Sequence, residues 1–400
     1  MSSFLHGIEH LNLAADYTPV NDVVTAVIGL VGTADKGPVN ELTLCISEQD
    51  DAQFGTRGTI PEALTAIRKQ SSAQGNALVL VIKVKADTEE ITPADIIGTV
   101  DEVGNRTGLK LFETALPRFG FEPMIYIAPR YSALSAVASE LVRIANKTEA
   151  VAYIDTPDGY TFSQALESRG TSGEFARLGE GAKLLFPHFL VANPNYNPDA
   201  EEPGDKYLNI PMSAYAAGLR AKVDLEEGWH VSSSNHQIAG VEGTDVALTF
   251  ALGDTTCEAN LLNAAGITTA VNLFGNGIVE WGNYTAGYPG KTDTEAFECV
   301  RRTRAIMKRA IEQACIPYID KPFIQANVDA IRNTINQYLN GLVAQGKIVA
   351  GQCYYRAESN PASELALGHL TFDIEFTPAL PMQRLTFRYK IDLSNLSTIA

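Results

Sequence analysis

The chain has 400 residues, of which 45% are hydrophobic and 20% charged, and its formal net charge is −16. This length and composition predict two or three globular units, and no run of about 18 apolar residues suggests a transmembrane helix. The acidic balance opposes binding to nucleic acid or to an anionic membrane surface, so neither is expected as a partner. No signal-like segment opens the chain, and we expect a soluble protein made in the cytosol.

The cysteines argue against two common uses of this residue. Their number is odd, and no two of them are spaced as Cys-x-x-Cys. These features oppose a disulfide framework and a zinc site, respectively, so we expect free thiols and no metal site. The cysteines are Cys45, Cys257, Cys299, Cys315 and Cys353.

The first 91 residues divide into an arm and an α/β segment. Residues 1–20 hold too few apolar side chains to close a core, with Ile8, Leu11 and Leu13 as the candidates for contacts made outside the chain. Residues 21–91 alternate β-branched apolar runs with a helical pattern, which predicts an α/β layer. The predicted strands are Val23–Ala34, Glu41–Ile46 and Ala77–Val84, and the predicted helix is Pro61–Gln70.

The same alternation restarts over residues 92–280 and predicts a second α/β unit. A loop rich in proline, asparagine and acidic residues, Asn193–Tyr207, interrupts it and is predicted to be exposed. The predicted helices are Gly108–Leu116, Ser132–Asn146 and Ser213–Val223, and the predicted strands are Met124–Ala128, Ala150–Ile154 and Lys183–Ala192.

Residues 281–400 change to an α+β pattern. Two long helices are predicted at Thr294–Cys315 and Phe323–Gln345, and the second has apolar residues at helical spacing that should pack on a sheet. Three strands follow, predicted at Lys347–Tyr355, His369–Phe376 and Arg384–Ile391. The last strand has one apolar face, made of Leu385, Phe387, Tyr389 and Ile391.

The last two predicted strands have opposite charges on their outward positions. Asp373 and Glu375 lie on the first strand, and Arg388 and Lys390 lie on the second. Opposite charges across antiparallel strands are favourable, so these strands are predicted to pair. The connection Thr377–Gln383 has two prolines and no hairpin turn signal. It spans roughly 23 Å when extended, enough to carry the last strand to a neighbouring molecule, and an intramolecular hairpin is the alternative.

The first long helix of this region has five cations within nine residues, which is unusual in so acidic a chain. At helical spacing they share one face, beside an apolar one. A solvated helix face is one interpretation, and a docking surface for an acidic partner is the other. The cations are Arg301, Arg302, Arg304, Lys308 and Arg309.

Two patterns raise the possibility of an enzyme. Thr285–Thr292 ends in Gly-Lys-Thr, but it lacks the leading glycine of a phosphate-binding loop, and its Pro289 removes a backbone donor. Asp155, His188 and Ser213 follow the chain order of a subtilisin-type triad, although a helix cap for Ser213 and a core position for His188 explain them equally well. The spacing of His230 and His236 matches no metal site. We therefore expect no catalytic residues.

Several segments together carry a family resemblance. They include Gly253–Asp254, the run CEANLLN at Cys257–Asn263, the turn Trp281–Thr285 and VRRTR at Val300–Arg304. Phe4–Leu13, Val27–Pro38 and Gly368–Ile391 extend the match to both ends of the chain. The chain resembles the tail sheath proteins of contractile phages and R-type pyocins.

This resemblance implies a structural protein without cofactors, found in a virion tail or a tailocin particle and assembled in the bacterial cytoplasm. Its partners would be further copies of itself in stacked hexameric rings, the tail tube, the baseplate and the tail terminator. The five cations of the basic helix would contact the tube. An α/β hydrolase or NTPase with a self-assembly domain is the alternative.

The resemblance also assigns folds to the segments. Residues 92–280 would form an outer, subtilisin-like three-layer domain, and residues 281–381 a C-terminal sheath core domain. Residues 21–91 would pack with that C-terminal domain. Residues 1–20 and 382–400 would be arms that exchange strands between neighbouring subunits.

Overall fold

The computed structural model describes residues 24–200, 204–275 and 277–393. The predicted arm residues Ile8, Leu11 and Leu13 lie outside this range. None of the helices in the described ranges is both long and apolar enough to cross a membrane.

The described chain contains strands and helices throughout. The strands are β1 (Val27–Thr33), β2 (Leu42–Cys45), β3 (Leu78–Lys85), β4 (Ile125–Ile127), β5 (Val151–Asp155), β6 (Ala182–Leu185), β7 (Phe189–Ala192), β8 (Tyr207–Ile210), β9 (Gly243–Thr244), β10 (Ile267–Asn272), β11 (Ile278–Trp281), β12 (Ile348–Tyr354) and β13 (Asp373–Pro378). The α-helices are α1 (Glu48–Asp51), α2 (Thr59–Lys69), α3 (Pro93–Ile97), α4 (Ala115–Phe119), α5 (Ser135–Lys147), α6 (Phe162–Ser168), α7 (Met212–Glu226), α8 (Glu258–Ala264), α9 (Glu298–Cys315), α10 (Gln325–Ala344) and α11 (Ala362–Leu365).

An eight-stranded sheet forms the centre of the fold, in the order β11-β10-β6-β5-β4-β1-β3-β2. The six strands from β10 to β3 are parallel, and the edge strands β2 and β11 are antiparallel to their neighbours. Every residue of β1 and β5 is buried, as expected for β-branched runs covered on both faces. Helices α2 and α7 pack on one face and α5 on the other. The predicted α/β class is confirmed.

The predicted division between residues 21–91 and 92–280 is wrong as a boundary between folded units. Strand β1 pairs with β3 on one side and with β4 on the other, with Ile28 opposite Val79 and Ile125. A central strand has backbone donors and acceptors on both edges, and both sets are satisfied only when the two segments share one sheet. Residues 27–85 are therefore part of the central sheet.

Three other predicted elements differ from the structure. The single strand predicted at Lys183–Ala192 is two strands, β6 and β7, because Pro187 has no N–H to donate to a continuous ladder. β7 instead belongs to a small sheet with β8 and β9. The helix predicted at Gly108–Leu116 is a 3₁₀ helix, Gly108–Thr114, followed by α4. The strand predicted at Arg384–Ile391 is not formed, and the side chains there are exposed.

The C-terminal elements pack as predicted, with α10 against the two-stranded sheet of β12 and β13. Their core contains Ile306 of α9, Leu339 of α10 and Ile348 of β12, all at most 2% exposed. Met124 from the central sheet belongs to the same core. Helix α9 thus lies between the central sheet and the C-terminal sheet. The five cysteines are free thiols, and all but Cys315 are buried.

Candidate functional site

Helix α9 is the basic helix of the sequence analysis, and the structure divides its five cations into two groups. Arg301 and Arg302 are 4% and 0% exposed, so the prediction that they contribute to a partner surface is wrong for these two. Their positions face the central sheet, where acidic side chains from other elements neutralise them. Arg301 pairs with Glu180 at 3.2 Å and donates to the side chain of Asn146 at 3.1 Å.

Arg302 is held by an acidic residue of α7. Its guanidinium forms a buried ion pair with Asp224 and donates to the carbonyl of Met124 at 3.3 Å. The other oxygen of Asp224 accepts from Nε of Arg220 at 2.9 Å. Two buried arginines therefore share one carboxylate, and this arrangement connects α9 to α7.

A second buried cluster lies at the N terminus of α9. Lys183 of β6 donates to Glu280 of β11 at 2.6 Å and to Glu298 of α9 at 2.8 Å. Glu298 also accepts from the hydroxyl of Tyr153 at 2.5 Å, and Glu280 accepts from Ser233 at 2.6 Å. Because Lys183 and Glu280 are completely buried, the helix is fixed to the sheet by charges that no solvent reaches.

The charges of the two clusters balance. The cations are Lys183, Arg220 and Arg302, and the carboxylates are those of Asp224, Glu280 and Glu298. Burial alone would raise the pKa of Glu298, but the charges of Lys183, Arg220 and Arg302 outweigh it and lower that pKa to about 2. Burial opposes the charge on Lys183, whereas Glu280 and Glu298 raise its pKa. Buried charges persist only when paired in this way. These paired charges attach α9 to the central sheet and to α7.

The other three cations of α9 lie toward the surface. Lys308 is the most exposed and pairs with Glu149 at 2.9 Å. Arg304 forms an ion pair with Glu295, and Arg309 pairs with Glu122 at 3.4 Å. The pair of Lys308 is exposed and contributes little to stability, whereas the pairs of Arg304 and Arg309 are partly buried. Arg304, Lys308 and Arg309 thus remain the candidates for contact with an acidic partner.

A stack of aromatic rings follows β11 and receives the C-terminal segment. The ring of Tyr284 lies 4.1 Å from that of Tyr288 and 4.7 Å from that of Phe297, nearly parallel to both. The hydroxyl of Tyr284 donates to the side chain of Gln383 at 2.9 Å, and Gln383 donates to Asn283 at 3.3 Å. This contact anchors Gln383, and residues 384–393 extend into solvent beyond it.

Beyond Gln383, the chain exposes its apolar side chains. The predicted apolar face does not pack on the described chain: the exposed fractions of Leu385, Phe387, Tyr389 and Ile391 are 65%, 72%, 93% and 84%. The charged residues between them, Arg388 and Lys390, are exposed as well. A segment of alternating apolar residues gains stability when it joins a sheet. In the described chain it has not joined one.

The predicted pairing of Asp373 and Glu375 with Arg388 and Lys390 is not made within the described chain. Strand β13 pairs with β12, with Glu375 opposite Gln352. Arg356 neutralises both carboxylates, at 2.6 Å from Glu375 and 3.8 Å from Asp373. The intramolecular hairpin considered from the sequence is therefore absent among residues 373–393. Pairing between molecules stays a prediction.

Asp155, His188 and Ser213 lie near one another, but their hydrogen bonds are not those of a catalytic triad. The hydroxyl of Ser213 donates directly to Asp155 at 2.5 Å, and the backbone N–H of Ser213 donates to the same carboxylate at 2.8 Å. His188 turns its Nε2 toward the carbonyl of Thr156, at 2.9 Å. A triad needs histidine between the nucleophile and the carboxylate. Here Asp155 caps α7 through Ser213, while burial raises the pKa of this carboxyl.

The phosphate-loop candidate also has structural partners. Lys291 forms ion pairs with Glu180 and Glu295, so its ammonium group is already neutralised. The segment that follows is a 3₁₀ turn, Thr294–Ala296, rather than the first turn of a long helix aimed at a phosphate. His236 lies 2.7 Å from a carboxylate oxygen of Glu227, and this pair has no second carboxylate nearby in the described chain.

The sequence analysis missed the buried ionic clusters. Two members, Lys183 and Glu280, had a weak signal, because they interrupt otherwise apolar strands, and a charge inside such a strand needs a partner. Sequence alone does not identify that partner. Lys183 and Glu298 are 115 residues apart in the chain, and Asp224 and Arg302 are 78 apart.

Comparison with known families matches both parts of the chain. Residues 89–286 match the family described as phage tail sheath protein central domain, and residues 291–392 match the phage tail sheath C-terminal domain. The chain is 32% identical to the tail sheath protein of Burkholderia phage BcepMu, over 100% of this chain and 99% of that protein. It is 30% identical to the tail sheath protein of Escherichia phage P2, with the same coverage.

A solved structure has the same overall fold. The PVC sheath complex of an extracellular contractile injection system, in its contracted state, superposes with a TM-score of 0.70 at 16% sequence identity. The match covers 99% of each chain. At this level of identity the likeness concerns the fold, and the curated relatives carry the family assignment.

Proposed function

Because this chain belongs to the phage tail sheath protein family and is a structural sheath subunit, we propose that it assembles as stacked hexameric rings around a tail tube. The sheath then contracts and drives the tube through the envelope of a target cell. The particle is a virion tail or a tailocin, assembled in the bacterial cytoplasm. The baseplate, the tail terminator and the tube are its further partners.

The exposed C-terminal segment is the observation that carries this proposal. Residues 384–393 follow the anchor at Gln383 and present Leu385, Phe387, Tyr389 and Ile391 to solvent. An isolated subunit gains nothing from such a segment, whereas a strand added to another chain's sheet makes main-chain hydrogen bonds along its length. We therefore assign residues 382–400 as an arm that joins a neighbouring subunit.

The sheet of β12 and β13 is the receiving surface that fits this arm. It has two strands in the described chain, so both outer edges lack a partner strand, and two-stranded sheets are marginally stable alone. Val349 on β12 is 63% exposed and Ile374 on β13 is 37% exposed, which leaves apolar surface for an added strand. Asp373 and Glu375 offer acidic positions to Arg388 and Lys390 of another copy.

We propose a domain assignment that fits this arrangement. Residues 281–381 form the core that exchanges strands, and residues 1–20, through Ile8, Leu11 and Leu13, act as a second arm. The central sheet, built from residues 27–85 and 125–281, forms an outer domain of subtilisin-like layering. The described residues of its loop 193–207 are largely exposed, and we assign them to the side away from the mesh of exchanged strands.

The tube-facing surface is the exposed part of α9. Arg304, Lys308 and Arg309 are more exposed than Arg301 and Arg302, and the side chains of their acidic partners are partly exposed, so a partner surface can replace them. A tube with acidic groups at the matching spacing would attract these cations and fix the register of the rings. The buried ion pairs that attach α9 to the central sheet and to α7 support this role, because a docking helix must keep its position under load.

Negative-stain electron microscopy tests the proposal. The purified full-length chain should form long striated hollow tubes, and a chain truncated after Pro381 should fold but form only monomers or small oligomers. Stable globular full-length monomers at high concentration would contradict the proposal. Incubation with MgATP and with protease substrates tests the enzyme alternative, which turnover sensitive to Lys291→Ala or Ser213→Ala would favour.

A further inference from the structure

Three potential metal ligands converge at one end of the central sheet, outside the surfaces assigned to assembly. Asp158 follows β5, His188 lies between β6 and β7, and Asp245 follows β9. One ligand atom from each residue lies within 4.8 Å of the other two. Asp158 and His188 are 30 residues apart in sequence, and His188 and Asp245 are 57 apart, so no short sequence motif contains all three.

His188 is oriented as metal-binding histidines are. Its side chain is 7% exposed, and its Nε2 lies 2.9 Å from the carbonyl of Thr156, which can only accept a hydrogen bond. Nε2 therefore carries a proton, and in the neutral ring Nδ1 is the nitrogen with a free lone pair for a cation. Nδ1 makes no hydrogen bond in the described chain, and Asp158 is 3.6 Å away. A carbonyl that fixes the tautomer is a common feature behind zinc ligands.

The second carboxylate is positioned by the backbone. Asp245 and His188 form a reciprocal pair, in which the N–H of His188 donates to Asp245 Oδ1 at 3.0 Å and the N–H of Asp245 donates to the carbonyl of His188 at 3.1 Å. Oδ2 of Asp245 remains directed toward the amide of Asn209, at 3.3 Å.

Asn209 supplies an observation independent of the cluster. Its amide nitrogen contacts Asp158 at 2.6 Å and Asp245 at 3.3 Å, while its Oδ1 is buried without a hydrogen-bond partner in the described chain. An unsatisfied buried oxygen is costly, and rotation of the amide would turn it toward the carboxylates. Such a rotation is favourable only when a cation lies between the oxygens.

Apart from His188, the two carboxylates have no cationic partner in the described chain. No lysine or arginine of the described chain forms an ion pair with Asp158 or Asp245. A neutral imidazole, two carboxylates and an amide oxygen form a nitrogen and oxygen donor set that suits divalent transition metals, whereas calcium prefers oxygen alone.

We propose that His188 Nδ1, Asp158 and Asp245 bind one divalent transition-metal ion of the Zn²⁺ type, with Asn209 Oδ1 or water completing the coordination. The ion joins the loop after β5 to the small sheet of β7, β8 and β9. Asp158 is 69% exposed and can move the short distance that closes the site. Because binding requires the folded arrangement of all three loops, the ion stabilises this end of the subunit.

Competition with a chromogenic chelator tests the proposal on the full-length chain after removal of adventitious metal. We expect one Zn²⁺ per chain to be retained, and the affinity to fall by at least about tenfold in Asp158→Asn, since even outer partners of metal ligands have effects of this size. Asp158→Asn keeps the side-chain volume at an exposed position, so the variant should fold. Circular dichroism checks that it does.

His236→Gln is the matched control. His236 pairs with Glu227 on the surface and would show any weak binding to exposed histidine and carboxylate pairs. Zn²⁺ should also raise the melting temperature of the wild type and of His236→Gln, but not that of Asp158→Asn. Failure of the wild type to retain Zn²⁺, or equal affinity in wild type and Asp158→Asn, would overturn the proposal.

Discussion

Arg302 of α9 and Asp224 of α7 form an ion pair whose two side chains are both completely buried. The pair lies where α9 meets the central sheet, and Arg220 shares the carboxylate of Asp224. Part of a helix that appears basic in sequence is therefore an internal connection of the subunit. Only the cations beyond it are available to a partner.

This distinction predicts very different effects for two arginines of α9. Arg302→Ala leaves Asp224 with one of its two buried partners, and we expect a loss of about 3 kcal/mol in the free energy of unfolding. Arg304→Ala removes a partly exposed pair with Glu295 and should cost at most about 1 kcal/mol. Urea denaturation of soluble subunits truncated after Pro381 measures both values. Similar losses in the two variants would contradict the assigned burial.

Acid should weaken the attachment of α9 through Glu298. The pKa of this carboxyl is lowered to about 2 in the folded chain, from an ordinary value of 4.5, so folding favours its charged form. The resulting stability, on the order of 3 kcal/mol, is present above about pH 4.5 and is lost as the pH falls toward 2. Glu298→Gln should be less stable at pH 7 and lose less stability between pH 5 and 3.

Denaturation of the truncated subunit at pH 7, 5, 4 and 3 measures this dependence. Glu364→Gln, which changes an exposed glutamate paired with His369, is the control and should keep the acid dependence of the wild type. An unchanged acid dependence in Glu298→Gln would mean that other carboxylates dominate the transition.

The exposed cations of α9 should be needed for assembly around the tube. Arg304→Glu combined with Lys308→Glu replaces attraction to an acidic tube surface by repulsion. We expect this variant to fail to assemble around the tube while still forming empty, contracted-like sheaths. Arg57→Glu with Arg130→Glu changes two other exposed cations and should assemble normally. Electron microscopy after co-expression with the tube protein distinguishes these outcomes, and normal co-assembly of the α9 variant would remove the proposed contact.

Strand exchange should depend on charge complementarity between different molecules. Arg388→Glu with Lys390→Glu places acidic residues opposite Asp373 and Glu375, and tubes should be lost. A second variant carries Asp373→Lys and Glu375→Lys, with Arg356→Glu so that the chain's own arginine does not repel the new lysines. It should also fail alone, since its basic strand meets the basic arm of its own kind.

Mixing the two variants tests whether the pairing crosses molecules. Each then offers a strand that complements the other, so tubes should form from two separately inactive proteins. Combining all five substitutions in one chain should restore tubes in part. A mixture that stays inactive while the combined variant assembles would show that the pairing is intramolecular.

The loop 193–207 should accept added length. Its described residues are largely exposed, and doubling the length of a flexible loop costs only about 0.6 kcal/mol. A short Gly/Ser insertion after Asn197 should therefore leave tube formation intact. The same insertion after Gly287 would separate the stacked rings of Tyr284 and Tyr288 and should prevent assembly. Loss of tubes from the first insertion would contradict the outer position of this loop.

The sequence by itself determined the elements whose pattern is local. The apolar runs of β1, β3 and β5 predict buried strands, and the apolar spacing of α10 predicts a helix on a sheet, because side-chain direction repeats with a fixed period in each structure. The motifs around Cys257–Asn263 and Val300–Arg304 also led to the correct family. The alternation at Leu385–Ile391 predicted a strand, but no strand forms there in the described chain.

The tertiary structure alone decided which charges are internal. Periodicity places Arg301, Arg302 and Arg304 near one side of a helix, but it does not reveal that Glu180 and Asp224 lie opposite the first two. Periodicity likewise does not predict that β1 pairs with β4, or that Asp158, His188 and Asp245 lie close together. Local pattern fixes the direction of each side chain, whereas an ion pair or a metal site depends on partners that only the order of strands in the sheet brings within a few ångströms.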